Sequence, residues 1–322
     1  MFAGNFGRVF RSTDNGTSWM GRTIVNEGLI TSFIFSGGNV FAGSEFNGVF
    51  RSANNGDTWT AVNSGLTNFQ ILSLTNIGNN LFAGTFGGVF RSTDNGASWT
   101  AVNTGLITLN IFSLANSGGN LFAGTGSGVF RSSNNGDTWT AVNTGLTNLF
   151  VQSITINGGN LFASLNSGGV FRSSDNGDTW TGANSGLPIN SVRSFTVNGG
   201  NLFACTGSQG GVFCSTDNGG TWTAVNAGLT FEFVYTLAVS AGNMFAGTDN
   251  GIFIRPLSEF SKPPSVTSFT PNLGSIATTV TITGLNFSPV AANNLVEFNG
   301  TIATVVGSTP TSITTTVPTG AT

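Results

Sequence analysis

The chain has no histidine, one lysine (Lys262), one tyrosine (Tyr235) and two cysteines in 322 residues. Charged residues make up 7% of it and the net charge is −3, against roughly one quarter charged in ordinary soluble domains. So few basic groups exclude the electropositive footprint of a nucleic-acid binder. No apolar run approaches the ~18 residues of a membrane span. The chain opens inside a repeat, so the lack of a leader in front of it carries no information. Scarcity of charge does not mean disorder here, because 29 phenylalanines and abundant Leu, Ile and Val supply a core. The 47 glycines fall in turns rather than in a collagen-like triplet.

All six tryptophans close the same eight-residue phrase: STDNGTSW (Ser12 to Trp19), SANNGDTW (to Trp59), STDNGASW (to Trp99), SSNNGDTW (to Trp139), SSDNGDTW (to Trp180) and STDNGGTW (to Trp222). They stand 40, 40, 40, 41 and 42 residues apart. A fixed period near forty residues means one supersecondary unit that buries its apolar face only by stacking on copies of itself. One full unit, Ile111 to Leu146, divides into four short apolar runs bounded by Gly, Asn and Ser. These are strands a (IFSLA), b (LFAGT), c (GVFRS) and d (TWTAV). Four antiparallel strands per repeat, set around a ring, describe a β-propeller blade. A solenoid, the competing architecture, uses shorter units and continuous parallel strands.

Strand b occurs seven times, beginning at Met1, Val40, Leu81, Leu121, Leu161, Leu202 and Met244. The expected fold is therefore all-β: a seven-bladed propeller of four-stranded antiparallel blades over residues 1–257. The first blade lacks strand a and the last lacks strand d. A d-then-a segment ahead of Met1 would fill both places, so the chain reads as a piece of a longer protein, with a native but incomplete ring as the other reading.

Each phrase lies between c and d. Its Asp or Asn accepts backbone N–H bonds, the following Gly supplies positive φ, and the Trp carries a large apolar area between blades. The expected structural positions are Asp14, Trp19, Asn54, Trp59, Asp94, Trp99, Asn134, Trp139, Asp175, Trp180, Asp217 and Trp222. S-x-D-x-G-x-[ST]-W resembles the Asp-box (BNR) repeat of sialidases, sortilin-type receptors, xyloglucan-cleaving hydrolases and photosystem II assembly-factor propellers. That resemblance implies the propeller fold and puts these turns opposite any active site. It does not choose among enzyme, receptor and assembly factor. Asn54 and Asn134 depart from the Asp, a swap the turn tolerates.

DNGD is not a calcium loop of the EF-hand kind, because alternate ligands and a terminal Glu are lacking. No metal or cofactor is expected. Arg11, Arg51, Arg91, Arg131 and Arg172 recur in strand c, which points to a structural stack or ion pair. Cys205 replaces a recurrent Gly and Cys214 the recurrent Arg, both in one blade. With Gln209 and Gly210 as a two-residue turn the two cysteines would lie opposite each other. A disulfide is then the expectation, against two buried thiols, and it favours an oxidising compartment.

Residues 258–264 (SEFSKPP) read as a linker. Residues 265–322 turn to alternating Thr, Val and Ile and resemble an IPT/TIG domain, an immunoglobulin-like sandwich. The matching residues are Phe269, Pro271, Gly274, Val280, Ile282, Gly284, Phe287, Val296, Phe298, Gly300, Pro310, Ile313, Val317 and Pro318. The match stops before that family's last strands, so a partial β-sandwich is expected. Such domains act as spacers or interaction modules outside the cell.

Glycoside hydrolysis needs two carboxylates about 5–10 Å apart, and the resemblance to sialidases implies an arginine triad and a Tyr–Glu pair as well; outside the repeats the propeller's acids are Glu27, Glu45, Glu232 and Asp249, its one tyrosine is Tyr235, and no Arg-Ile-Pro motif is present. Loops that vary by one or two residues leave no length for a walled cleft. Equivalent positions early in strand a nevertheless diverge: Thr31, Leu72, Phe112, Gln152, Arg193 and Tyr235. Of these, Gln152, Arg193 and Tyr235, with Glu232, Asp249, Arg8 and Glu45, define a candidate polar sector over blades five, six, seven, one and two, flanked by Phe6, Phe46 and Phe86. Ordinary drift among repeats is the plainer reading of that sector. The expected function is a secreted or cell-surface, non-enzymatic binding or scaffold protein whose partner is a polysaccharide or an extracellular protein. An accessory or degenerate glycoside hydrolase is the alternative. An assembly factor would need a charged patch that this chain does not have. Oligomeric state leaves no signature in the sequence.

Overall fold

Runs such as N-L-F-A-G-T form strands because apolar residues sit between Gly-Asn turns that only tight reversals accommodate. A computed structural model describes residues 1–25, 27–188, 192–207, 210–226, 228–229, 233–260, 265–285, 287, 291, 294–309 and 311–321. It divides into two compact units, Met1–Leu257 and Ser258–Thr322.

The first unit is a seven-bladed propeller of antiparallel sheets in the order a-b-c-d. Blade four is typical, with a at Ile111–Ser117, b at Asn120–Thr125, c at Gly128–Ser132 and d at Thr140–Ala141. Strand b is buried at every position after its first Asn, as a middle strand covered on both faces must be. Strand d is only two residues long in blades two to six and is exposed. Blade one has b, c and d (Phe2–Asn5, Arg8–Arg11, Met20–Thr23), and blade seven has a, b and c (Val234–Ser240, Asn243–Thr248, Gly251–Pro256). The ring still closes. The turn glycine of each blade sits on the strand-b phenylalanine of the blade before it: a Cβ on Gly96 would lie 2.9 Å from the Phe41 ring, and one on Gly16 would lie 2.7 Å from the Phe245 ring of blade seven.

Four contacts repeat between neighbouring blades. The Trp99, Trp139, Trp180 and Trp222 indoles donate to the carbonyls of Val62, Val102, Val142 and Ala183 in the preceding blade, at 2.8–2.9 Å. Their backbone N–H groups donate to Ser64, Thr104, Thr144 and Ser185. Four tryptophans make this hydrogen bond, and Trp59 fills the gap between blades without it, edge-on to Phe2 of blade one with ring centres 6.2 Å apart. Trp19 and Trp59 turn their indoles back to Gly16 and Gly56 of their own turns. For Trp59 the reason is the shorter connection, residues 24–29, that leaves the preceding blade. The recurrent arginines reach forward: Arg11, Arg51, Arg91, Arg131 and Arg172 each donate to a backbone carbonyl in the next blade's turn. Arg11, Arg91 and Arg131 also pair with Asp57, Asp137 and Asp178.

The fourth contact explains the cysteines. A Cβ on Gly43 or Gly84 would lie 2.6 or 2.8 Å from Cγ2 of Ile71 or Ile111, the first side chain of the next inner strand. Valine takes the isoleucine's place opposite Gly124, Ser164 and Cys205 (Val151, Val192 and Val234). Cys205 is fully buried at this contact and is a packing residue. Cys214 takes the arginine's place in blade six because blade seven has no turn of this kind to receive an arginine. The expected disulfide is corrected on the same ground. Thr206 pairs with Gly211, so Cys205 faces Val212 and Cys214 faces Phe203. The cysteines are diagonal neighbours, about 7–8 Å apart, beyond the ~4.4–6.8 Å span of a disulfide. Both are buried with no bridge between them. Gln209 of the expected two-residue turn lies outside the described residues.

In the second unit, Ser265–Thr270, Thr279–Leu285, Ser312–Thr316 and Val305–Thr309 form one sheet, with a hairpin of Val296–Phe298 and Thr301–Ala303. Val280, Phe287, Ala303 and Ile313 are buried. Gly284 is required by close approach, since a Cβ would run into the Ser265 carbonyl and the Phe287 ring. Leu257–Phe260 is a 3-10 turn in which Phe260 of the expected linker is buried, while Ser258 and Glu259 are exposed. Residues 261–264 lie outside the described residues.

Candidate functional site

The divergent positions of strand a share one backbone feature. In every blade that has this strand, the ladder to strand b skips its second residue: Ile111 pairs with Thr125 and Ser113 with Gly124, leaving Phe112 as the extra residue of a bulge. The same holds for Thr31, Leu72, Gln152, Arg193 and Tyr235. A bulge unpairs a residue and re-aims its side chain. Here it points toward the b–c hairpins and the last residues of the d–a connections, which are tied together by bonds such as Gly88 N–H to the Leu109 carbonyl and Gly48 N–H to the Phe69 carbonyl. These parts make up the loop face. The S-x-[DN]-N-G turns lie at the other end of the strands, where Ser92 pairs with Leu81.

On the loop face, Tyr235 Oη donates to Asp249 Oδ1 at 2.8 Å, and the Arg193 guanidinium lies 5.3 Å from the centre of the Tyr235 ring. The bond to the Asp249 carboxylate pushes the Tyr235 hydroxyl above its ordinary value. Phe233 flanks Tyr235, with ring centres 6.1 Å apart. Gln152, at the bulge of the neighbouring blade five, has its Oε1 buried with no hydrogen-bond partner. Three residues of the expected sector, Arg193, Tyr235 and Asp249, are thus in contact. Arg8 lies instead over Phe10 of its own blade, 5.3 Å from the ring centre. Glu45 accepts the Leu29 N–H at 3.4 Å. Glu232 lies outside the described residues.

Apolar side chains cover the adjoining part of the face. Phe112 stacks on Phe150 with ring centres 4.7 Å apart and meets Phe86 edge-on at 6.0 Å. Phe6 and Phe46 are 70% and 52% exposed, and Phe69, Leu109 and Leu149 are exposed beside them. Phe69, Leu109, Leu149, Phe150 and Phe233 form no part of the sector read from sequence. Their signal was an apolar residue just ahead of strand a in an otherwise polar connection, as in GLTNFQ and GLTNLF.

At the opposite end each turn is closed on itself. Ser92 Oγ accepts the Gly96 N–H at 2.8 Å and donates to Asp94 Oδ1, which also accepts the Ser98 N–H at 2.9 Å. Asn54 and Asn134 keep the arrangement and donate their amide N–H to Thr58 and Thr138. The carboxyls of Asp14, Asp94 and Asp175 are held at about 2 by hydrogen bonds, first from the side chains of Ser18, Ser98 and Thr179. Among the described residues no cluster of three or more His, Cys, Asp or Glu could hold a metal ion.

Comparison with protein families finds the DUF6242 beta propeller domain over residues 20–150 and again over 121–241. The chain belongs to this propeller family. An IPT/TIG domain follows over residues 264–322, in agreement with the resemblance read from the sequence. No curated protein matches. Among solved structures, the DUF6242 propeller chain is similar to the extracellular domain of the one-component system BT4673 from B. thetaiotaomicron. That match has a TM-score of 0.66 and 16% identity, over 89% of this chain and 42% of that one. The chain thus spans less than half the length of that relative. It is also similar to YCF48 bound to D1 peptide (TM-score 0.65, 20% identity, 81% of this chain and 89% of that one). A third likeness is to the GH74 xyloglucanase from Xanthomonas campestris (TM-score 0.65, 15% identity, 88% and 56%). At such identities these likenesses carry the fold alone.

Proposed function

We propose that the DUF6242 propeller is a non-enzymatic binding module that works outside the cell and holds a protein partner on its loop face. The observation that carries this reading is the exposed Phe86–Phe112–Phe150 stack, next to the Arg193–Tyr235–Asp249 cluster. Exposed apolar surface beside a few oriented polar groups fits the core and rim of a protein interface. Phenylalanine and leucine offer a sugar no hydrogen bonds, which favours protein over polysaccharide. YCF48, a structure of this fold, is bound to a peptide, and the BT4673 relative is an extracellular domain. With the disulfide withdrawn, the extracellular placement rests on that likeness and on the IPT/TIG module. Catalysis finds little support: the b–c connections, such as residues 86–87 and 207–210, are too short to wall a cleft, and Asp249 is engaged by Tyr235.

The test is a direct comparison of wild type with Phe112→Ser/Phe150→Ser on arrays of extracellular proteins and of glycans. Retention of specific proteins by wild type, lost in the variant, supports the reading. Glycan retention with release of reducing sugar, abolished by Asp249→Asn, would replace it with the glycoside hydrolase alternative.

A further inference from the structure

Every turn phrase contains asparagine followed by glycine, at Asn15, Asn55, Asn95, Asn135, Asn176 and Asn218. That pair is chemically fragile. The glycine nitrogen, once solvent base has taken its proton, attacks Cγ of the asparagine. A C–N bond forms, the side-chain nitrogen leaves as ammonia, and water opens the resulting succinimide to aspartate or isoaspartate. Glycine permits this because no side chain hinders rotation of its peptide toward Cγ. The fold nevertheless requires both residues. The six asparagines have φ of 54–63°, the left-handed region that few residues other than Gly and Asn visit. The glycines lie on the preceding blade: a Cβ on Gly219 would be 2.6 Å from the Phe162 ring.

Each turn also keeps the reacting atoms apart. The glycine N–H donates to Oγ of the serine four residues before it, at 2.7–2.9 Å in all six copies from Gly16 and Ser12 to Gly219 and Ser215. The glycines are buried, so solvent base does not reach their nitrogens. A near-attack geometry would need the peptide to rotate out of the serine bond and off the surface beneath it.

The a–b hairpins supply the contrast. Asn157–Gly158 and Asn198–Gly199 hold the same place in blades five and six. Asn157 is 4% exposed, and its Nδ2 donates to the Gly200 carbonyl of the next hairpin at 2.8 Å. The corresponding carbonyl one blade on, Gly242, accepts the Leu257 N–H instead. Among the described residues nothing bonds to the Asn198 amide or to the Gly199 N–H. Gly199 is exposed, with no atom within 4 Å of where a Cβ would be.

We propose that Asn198 is a site of spontaneous deamidation in the folded propeller, and that the turn serine guards the six turn asparagines against the same reaction. The serine thus has a second duty besides closing the turn. The charge gained at Asn198 lies at the turn end of strand a, away from the loop-face residues assigned to partner binding.

The test incubates the full chain at pH 8 and follows each asparagine by peptide mapping with mass spectrometry. The same protein unfolded in urea gives the reference rate for each pair. In the native protein Asn198 should convert at least about tenfold faster than Asn157 or any turn asparagine, since each of those must first break a hydrogen bond. Ser92→Ala should raise conversion at Asn95 by about tenfold and leave Asn176 and Asn218 of the same molecule unchanged. The wild-type comparison decides the matter alone if that variant does not fold. Asn198 no faster than Asn157, turn asparagines converting at their unfolded rate, or an unchanged Asn95 in folded Ser92→Ala would each overturn the proposal.

Discussion

Replacing Gly84 with alanine adds one methyl group where blade three meets blade four. The new Cβ would lie 2.8 Å from Ile111 Cγ2 and 3.3 Å from Ile111 Cβ, and Ile111 is fully buried. Gly84 has no left-handed backbone, so alanine is conformationally allowed there and the loss is one of packing. Overfilling a tight core costs about 1–3 kcal/mol, offset by about 0.4–1 kcal/mol from the stiffer unfolded chain. The expected net loss is about 1–2 kcal/mol. Ile111→Ala removes Cγ2, the atom the new methyl would strike, and costs about 2–5 kcal/mol alone. In the double variant Cγ2 no longer stands in the way of the new methyl. The double variant should then be about as stable as Ile111→Ala, with a coupling of about 1–2 kcal/mol between the sites. Urea denaturation of the four proteins, compared at constant slope, measures it. Additivity to within about 0.3 kcal/mol would refute this account of the contact between blades.

The remaining expectations concern thiols, acid and arginine. Burial pushes the Cys205 thiol up to about 12, so it should resist alkylation at pH 8 in native protein and react fully once denatured without reductant; recovery of a Cys205–Cys214 bridged peptide would contradict the register. The Asp14, Asp94 and Asp175 carboxyls sit at about 2 against 3.8 unperturbed. Their contribution is complete above 3.8 and fades as pH falls through 2, so the urea midpoint should drop across that window, and less steeply in Asp14→Asn/Asp94→Asn/Asp175→Asn. Arg131→Met removes the bonds to the Asn176 carbonyl and to Asp178. It should cost about 1 kcal/mol, most of it retained at 0.5 M salt because the carbonyl bond is not an ion pair; a loss that vanishes in salt would assign it to Asp178 instead.

The blade count, strands a, b and c and the second unit were legible because each rests on local signals: period, turn residues and alternation; strand d, expected as T-W-T-A-V, is only Thr140–Ala141 in blade four. The six turns were legible for the same reason, since Ser92, Asp94, Gly96 and Ser98 bond to one another within a single turn. What lay beyond local reading was everything decided by a neighbour. The b–c register depends on a four-residue connection, 207–210, that looks like a two-residue turn in sequence, and the slip moved Cys205 away from Cys214. Arg8 occupies a loop position in the repeat alignment, yet its side chain follows the Phe10 ring and Gly21 of its own blade. The bulge was invisible because its extra residue leaves no mark in composition. Only the ladder to strand b shows that Phe112, Arg193 and Tyr235 are unpaired and turned to one face.

That bulge also explains why one end of the ring is uniform and the other varied. At the turn end, the tryptophan of blades three to six, the arginine and the glycine each depend on the next or preceding blade: the indole takes a carbonyl, the arginine reaches a turn, and the glycine sits on a ring. A change in one copy disturbs two blades. The bulged residue has no ladder partner and little packing to satisfy, so the six copies have become Thr, Leu, Phe, Gln, Arg and Tyr. Variation among internal repeats therefore marks the positions released from holding the ring together. Freedom from packing alone would leave such positions small and polar. Instead Phe112 stacks on Phe150 of the neighbouring connection and Tyr235 bonds to the Asp249 carboxylate, which is the apolar and oriented polar surface on which the proposed binding role rests.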